Sequence, residues 1–89
     1  MAHFAKIENN IVGDVIVVSN NDCDNLPFPE SEPIGQAYLA SLGIVGEWLQ
    51  TSYSGSFRGC YAGIGFTFDA SIGVYGEFVP PPPTPFEPA

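Results

Sequence analysis

The sequence predicts a small α+β fold, mainly an antiparallel β-sheet with one short helix and an extended proline-rich C-terminal arm. A polar turn, Glu8-Asn9-Asn10, precedes a segment dense in β-branched residues, an order typical of a β-hairpin. A single segment, residues 31–42, has helical spacing of its apolar residues, whereas the segments around it resemble strands. Proline dominates residues 80–89, which are therefore expected to be extended. We expect one domain over residues 1–79 and an arm over residues 80–89.

The N-terminal hairpin is predicted to contain two strands of different character. His3–Ile7 alternates apolar and polar residues, whereas Ile11–Val18 is almost continuously apolar. The second segment therefore resembles a strand that is buried on both faces. Gly13 within it is expected to mark a β-bulge.

The acidic segment from Ser19 to Glu32 is predicted to be a loop. Its acids and amides suggest a calcium site, but the EF-hand pattern requires a glycine at position six and a glutamate at position twelve. Counted from Asn20, those positions hold Asn25 and Ser31. A solvated acidic loop without a metal is the better interpretation.

The predicted helix has a start signal and an end signal. Ser31 suits the N-cap, Pro33 suits the first turn, and Gly43 suits the position just past the C-terminus. The face expected to dock on the sheet consists of the apolar side chains at helical spacing: Ile34, Ala37, Tyr38 and Leu42.

The segment Gly46–Ala70 concentrates aromatic residues and glycines and also holds the single Trp and the single Arg. Strands are predicted at 47–53, 64–68 and 74–79, and the short connections between them favour antiparallel pairing. Arg58 has two interpretations. It either stacks on a ring and pairs with a carboxylate, or it is buried and bonds loop carbonyls within its own domain.

Composition excludes several classes of partner. Ten acids against two cations give a formal charge of −8, so neither nucleic acid nor an anionic membrane is an expected partner. No segment has the roughly 18 apolar residues of a membrane span, and no signal peptide is recognised. Only 13% of the residues are charged, which leaves apolar surface uncovered and suggests a subunit of an assembly.

Candidate catalytic residues lack the required context. His3 has no nucleophile and no orienting acid placed by a recognised motif. Cys23 and Cys60 are too far apart for a metal site and are expected to be free thiols. Asp69 and Glu77 can face each other across the last hairpin, but such pairs are usually only solvated. We expect no enzyme activity, no cofactor and no metal.

Two long segments of the chain, MAHFAKIENNIVGDVIVVSNNDC and GEWLQTSYSGSFRGCYAGIGFTFDA, resemble a family of small proteins of tailed bacteriophages, especially phages of cyanobacteria. The resemblance extends from Ala2 to Phe86. The chain departs from the family at Gly59-Cys60, where relatives carry more polar or basic residues. The most specific matching segments are His3-Phe4-Ala5, Val15–Val18, Trp48–Tyr53, Phe57-Arg58 and Tyr61–Gly65.

The resemblance implies a virion structural protein, made in the host cytoplasm and bound in the particle as a homo-oligomer. The first expectation is a capsid decoration (cement) protein that bridges major capsid protein subunits. A tail, neck or fibre-adaptor component that contacts tail proteins is the first alternative, and a non-virion assembly chaperone or binding module is the second. The residues expected at its protein interface are Trp48, Tyr53, Phe57, Arg58, Tyr61, Pro80, Pro81, Pro82, Pro83 and Phe86.

Overall fold

The computed structural model describes residues 1–82, and the fold is a small α+β fold as predicted. Most of the predicted arm, residues 83–89, lies outside the described residues. The elements are β1 (Ala2–Glu8), β2 (Ile11–Val18), a 3₁₀-helix (Asn20–Cys23), α1 (Ser31–Ser41), β3 (Glu47–Thr51), β4 (Thr67–Asp69) and β5 (Glu77–Val79). The strands form one five-stranded antiparallel sheet with the order β3-β1-β2-β4-β5.

The β1–β2 hairpin forms as predicted. Asn9 and Asn10 both have positive φ (52° and 63°), which matches the twist of a two-residue hairpin turn. The pairing shifts by one residue between Lys6 and Ile7, so that Gly13 is left without a partner in the ladder. The predicted bulge at Gly13 is confirmed.

Burial of the hairpin differs from the prediction. Ile11 and Val17 of β2 are exposed, whereas Phe4 and Ala5 of β1 are both fully buried. The main contacts of α1 are with the 3₁₀-helix and β3, and in β2 the residue that shares the core cluster of Leu39 is the buried Val18. The strand that is buried on both faces is therefore β1.

The core consists of two clusters that meet at β1. Ala2 and Phe4 point into the first cluster, and Ala5 and Ile7 point into the second, as the alternation of a strand requires. The first cluster also contains Val18, Cys23, Leu39 and Trp48, and the second contains Val12, Ala62 and Phe78.

The buried face of α1 matches the prediction only in part. Its buried residues are Ser31, Gly35 and Leu39. Of the predicted residues, Tyr38 packs against the first core cluster and Ile34 is half-buried. Ala37 and Leu42 are exposed. Gly35 packs so closely on the Phe4 ring that a Cβ there would overlap it. The face is therefore selected by small residues that admit the ring. Ser31 is also not the N-cap: it lies inside the helix, and its Oγ donates a 2.6 Å hydrogen bond to Gln50 Oε1.

The last hairpin pairs as predicted but is shorter. Phe68 faces Phe78, and Asp69 faces Glu77. Gly65 and Gly76 have positive φ of 90° and 78°, which interrupts the extended backbone on the N-terminal side of each strand. The ladder is therefore limited to three residues in β4 and three in β5.

Candidate protein-interaction site

Arg58 is a buried cation that binds groups from three parts of the chain. Its side chain pairs with both oxygens of Glu32 in α1, and Nη1 donates to the carbonyl of Gln50 at 2.8 Å. Nε donates to the carbonyl of Tyr75 at 3.1 Å. Both sequence interpretations therefore apply within one domain, because Arg58 pairs with a carboxylate and also bonds loop carbonyls.

Two aromatic rings lie near the Arg58 guanidinium. The guanidinium carbon lies 5.1 Å from the Phe28 ring centre and 5.4 Å from that of Phe68, within the range of cation–π attraction. Phe57 stacks parallel on Phe28 with 3.9 Å between ring centres. The arginine thus holds the loop before α1 against the last hairpin.

The free edge of β3 is covered by side chains. Gln36 Nε2 donates to the carbonyl of Trp48 at 2.6 Å, and the N–H of Gln50 donates to Glu32 Oε2 at 2.7 Å. Arg58 Nη1 donates a hydrogen bond to the carbonyl of Gln50. Backbone groups that would otherwise pair with another strand are already bonded.

The free edge of β5 is covered by the same loop. The N–H of Phe78 donates to the carbonyl of Arg58 at 3.0 Å, and Cys60 Sγ donates to the carbonyl of Phe78 at 3.1 Å. Arg58 therefore contacts both edge strands, β3 through its side chain and β5 through its backbone. Because one residue spans the two edges, the sheet bends towards closure, and strand addition at either edge is disfavoured.

Three aromatic rings cluster at the surface, and we define the aromatic patch as His3, Tyr53 and Tyr61. Tyr53 is 74% exposed. Its ring stacks on His3 with 5.5 Å between centres, and Tyr61 lies 5.2 Å from Tyr53 and 5.5 Å from His3. The patch presents three rings from β1 and from the segment after β3.

The loop that carries Tyr53 is closed by hydrogen bonds among its serines. Ser52 Oγ accepts a 3.1 Å hydrogen bond from the N–H of Ser56 and lies 2.9 Å from Ser56 Oγ. The N–H of Gly55, at a φ of 72°, closes the turn on the carbonyl of Ser52. An exposed tyrosine on a hydrogen-bonded Ser/Gly loop offers contact area at a low entropic cost, as in antibody binding loops.

The patch is uncharged near neutral pH. Burial lowers the pKa of His3 from its ordinary value of 6.5, and the nearby N-terminal ammonium lowers it further. The imidazole is therefore neutral at pH 7. The sequence identified the two tyrosines but read His3 only as a structural residue, because its aromatic neighbours are distant in the chain.

The predicted interface residues differ in their exposure. Trp48 is 6% exposed and Arg58 is 9% exposed, so both side chains are largely buried within the chain. Trp48 belongs to the first core cluster. The side-chain nitrogens of Arg58 donate hydrogen bonds within the chain, to Glu32 and to two backbone carbonyls. Phe57 is half-buried against Phe28. Tyr53 and Tyr61 lie in the patch, Pro80, Pro81 and Pro82 are exposed, and Pro83 and Phe86 lie outside the described residues.

A second surface feature is a pocket of about 340 Å³ between α1 and β3, which we call the α1–β3 pocket. Trp48 forms part of its wall, and Trp48 Nε1 is buried without a hydrogen-bond partner among residues 1–82. The sequence signal for the pocket is the pair of aliphatic residues after the helix, Ile44-Val45. The pocket is lined by Gln36, Ala40, Ile44, Val45, Gly46, Glu47 and Trp48.

Within residues 1–82, no group of three or more acidic, histidine or cysteine side chains is arranged to hold a metal ion. No helix in that range has the length and apolar character needed to cross a membrane. Comparison of the chain with protein-family models, curated proteins and solved structures found no match.

Proposed function

We propose that this protein is a structural component of a tailed-phage particle that decorates the capsid and bridges capsid subunits. The observation that carries the proposal is the exposure of Tyr53, at 74%, on a loop whose serines are hydrogen-bonded to each other. The proposed role is docking and not catalysis. The resemblance of the segments around Val15–Val18 and Trp48–Tyr53 to small phage proteins supports the location in a virion.

The chemistry of the patch fits a protein partner. Tyrosine supplies a large apolar ring and a hydroxyl that forms hydrogen bonds, and it is enriched among the residues that dominate binding energy. With both sheet edges covered, docking would use side chains of a face and a loop instead of strand addition. A patch of three rings is small, so repeated contacts on a symmetric particle would provide the avidity.

The net negative charge of the chain favours a partner surface with basic groups. The chain carries ten acids against Lys6 and Arg58, and Arg58 is neutralised internally by Glu32. The exposed surface therefore has an excess of negative charge. A capsid surface with basic groups around the docking point would be complementary, and its attraction would weaken with salt.

The copy number of the protein in purified particles tests the proposal. Quantitative mass spectrometry should find on the order of hundreds of copies per particle, because decoration follows the repeated symmetry of the capsid. A small number matching the symmetry of a ring or tail would instead assign it to the tail, neck or fibre adaptor. Its absence from washed particles, with presence in infected cells, would refute a virion role and favour the assembly chaperone.

A further inference from the structure

The outer strands of the sheet have covered edges, but β2 has an open edge of its own. β1 pairs with β2 along its whole length. On the other side of β2, β4 pairs with it at one position, Ile11 with Thr67. The backbone of Val12 also bonds the two residues before β4: its N–H donates to the carbonyl of Phe66, and its carbonyl accepts from the N–H of Gly65. Beyond Val12, no strand in the described part of the chain pairs with this side of β2.

The register shows which backbone groups of β2 face the open side. Successive residues of an antiparallel strand direct their N–H and C=O groups alternately towards and away from one neighbour. Val12, opposite Ile7 of β1, directs both groups away from β1. Counted along β1 in steps of two, the next residues of β2 that do so are Val15 and Val17. The N–H of Val15 agrees with this, since it bonds Asp14 Oδ1 at 2.8 Å and not β1.

The open edge, which we define as residues 14–18, is accessible and apolar. Val17 is 51% exposed, and Asp14 is exposed as well. Apart from Asp14, the edge consists of valine and isoleucine. Within the described residues, Val17 makes no backbone hydrogen bond on its outward side. An accessible edge of β-branched residues with unpaired backbone groups is a template for another strand.

We propose that the open edge pairs with the same edge of a second copy of this chain, antiparallel about a two-fold axis at Ile16. In this register Val17 lies opposite Val15 of the second copy. The N–H of Val17 then donates to the carbonyl of that Val15, and the symmetry repeats the bond. The valine side chains of each opposing pair share one face of the joined sheet and contact each other across the seam.

The edge is complementary to itself and poorly suited to the proline-rich arm. The edges of β3 and β5 are already bonded within each copy, so the free edge that a second copy offers is the one on β2. Like charges are kept apart, because Asp14 lies opposite Val18 of the second copy and not opposite its Asp14. Residues 80–89 are dominated by proline, which has no N–H to donate to a ladder.

Pairing through β2 would also place two aromatic patches on one surface. His3 is opposite Val17 in the β1–β2 ladder, so their side chains lie on the same face. A two-fold axis normal to the joined sheet leaves that face on the same side in both copies. The dimer would therefore present two docking patches together, which adds avidity.

Asp14 and the net charge both weaken the pairing. The carboxylate of Asp14 holds the N–H of Val15, which would otherwise donate to the carbonyl of Val17 of the second copy. Each copy also carries a formal charge of −8, so the two bodies repel each other. We therefore expect a reversible dimer that becomes tighter as salt is added, whereas attraction to a basic capsid surface weakens with salt.

Sedimentation of the full-length chain over a concentration series up to about 1 mM tests this inference. The wild type should form a reversible dimer. Val17→Pro removes the donor at the seam but no bond to β1, so it should raise the dissociation constant at least about tenfold. Asp14→Ala frees the N–H of Val15 and should lower the dissociation constant severalfold. Its matched control is Glu30→Ala, which removes an exposed acid without freeing a backbone group and should lower the constant less.

Amide exchange of the wild type provides a second readout that needs no variant. The N–H of Val17 should exchange rapidly in dilute protein and more slowly as the concentration rises. The N–H of Ile16, which faces Phe4 in the β1–β2 ladder, should exchange slowly throughout.

Four results would overturn the inference. The first is a wild-type chain that stays monomeric. The second and third are an oligomer in which the Val17 amide stays unprotected and an oligomer unaffected by Val17→Pro, because the interface then lies elsewhere. The fourth is a dimer that is no tighter in Asp14→Ala than in Glu30→Ala. Pairing does not depend on particle binding, so absence from virions would refute the proposed function alone.

Discussion

Arg58 and Glu32 form a buried ion pair that joins the loop after β3 to the first turn of α1. The same arginine bonds β3 through its side chain and β5 through its backbone. A buried charge is tolerated only when it is paired and its remaining donors are satisfied, and here Gln50 and Tyr75 provide the acceptors. The pair therefore fixes how the helix, the sheet and the long loop are arranged.

Removing one partner of this pair should destabilise the protein strongly. Glu32→Gln leaves the Arg58 charge buried and unpaired, which is expected to lower the free energy of unfolding by about 3–5 kcal/mol. Arg58→Lys should also destabilise, because an ammonium cannot reproduce the planar fork that binds Glu32 and Gln50 together. Urea unfolding measures the loss of unfolding free energy in each of the two variants.

The double variant Glu32→Leu with Arg58→Met is the control for that prediction. This variant removes both charges at once. Its loss of unfolding free energy should therefore be clearly smaller than the sum of the losses in the two single variants. Strictly additive losses would contradict a direct coupling between the two residues.

Gly35→Ala should destabilise the protein even though alanine is the better helix former. The added Cβ would overlap the Phe4 ring, and overpacking of this kind costs about 1–3 kcal/mol. Gly13→Ala is the matched control, because a Cβ at Gly13 meets nothing within 4 Å. Thermal unfolding should show a lowered Tm for Gly35→Ala and a nearly unchanged Tm for Gly13→Ala. A stabilised Gly35→Ala variant would show that the helix does not pack on Phe4 in this way.

His3 should titrate below its ordinary pKa of 6.5, because its ring is desolvated in the aromatic patch. A lowered pKa in the folded state means that the stability contributed by the neutral ring is present above pH 6.5. That contribution is lost as the pH falls through the folded pKa. NMR titration of the single imidazole measures the value directly. Tyr53→Ala should move the His3 pKa back towards 6.5, whereas Val74→Ala should not.

Asp69 does not obscure this titration. Hydrogen bonds from Ser71 lower the pKa of Asp69 from its ordinary value of 3.8, so this carboxyl changes charge well below the range of His3. A stability decrease between about pH 7 and pH 5 that disappears in His3→Gln would therefore belong to the imidazole.

Cys23 and Cys60 should react slowly with thiol reagents, and Cys60 should react first. Burial raises the pKa of both thiols, and nearby acids raise it further: Asp22 and Asp24 for Cys23, and Glu77 for Cys60. Cys23 is fully buried, whereas Cys60 is half-buried. Labelling followed by mass spectrometry should show that Cys60 reacts before Cys23 in the native protein. In urea the two thiols should react without this order. Equal native rates would contradict the burial of Cys23 beneath α1.

Local signals predicted the hairpins well. Asn9-Asn10 and the β-branched residues after it determine the first hairpin within a short stretch of chain, and Gly13 marks its bulge. The same reasoning was only partly right about the face of α1. Of the apolar residues at helical spacing, Tyr38 packs on the core, whereas Ala37 and Leu42 are exposed. The buried Ser31 and Gly35, of which Gly35 packs on the Phe4 ring, are not detected by apolar periodicity.

The candidate site was less predictable because its contacts are long-range. The hydrogen-bonding partners of the Arg58 side chain are separated from it by up to 26 residues, and nothing in the order of residues indicates that Glu32 would meet it. Tyr53 and Tyr61 were identified by residue type alone. Their contact with His3 depends on β1 pairing with β3, which places His3 opposite Thr51.

Binding to particles stripped of the protein is the measurement that tests the central claim most directly. Wild-type protein should rebind to saturation, and Tyr53→Ala should raise the dissociation constant by about tenfold or more, since it removes the centre of the docking patch. Val74→Ala, which shortens another exposed side chain, should bind like the wild type. Equal binding by Tyr53→Ala and the wild type would contradict docking through the aromatic patch.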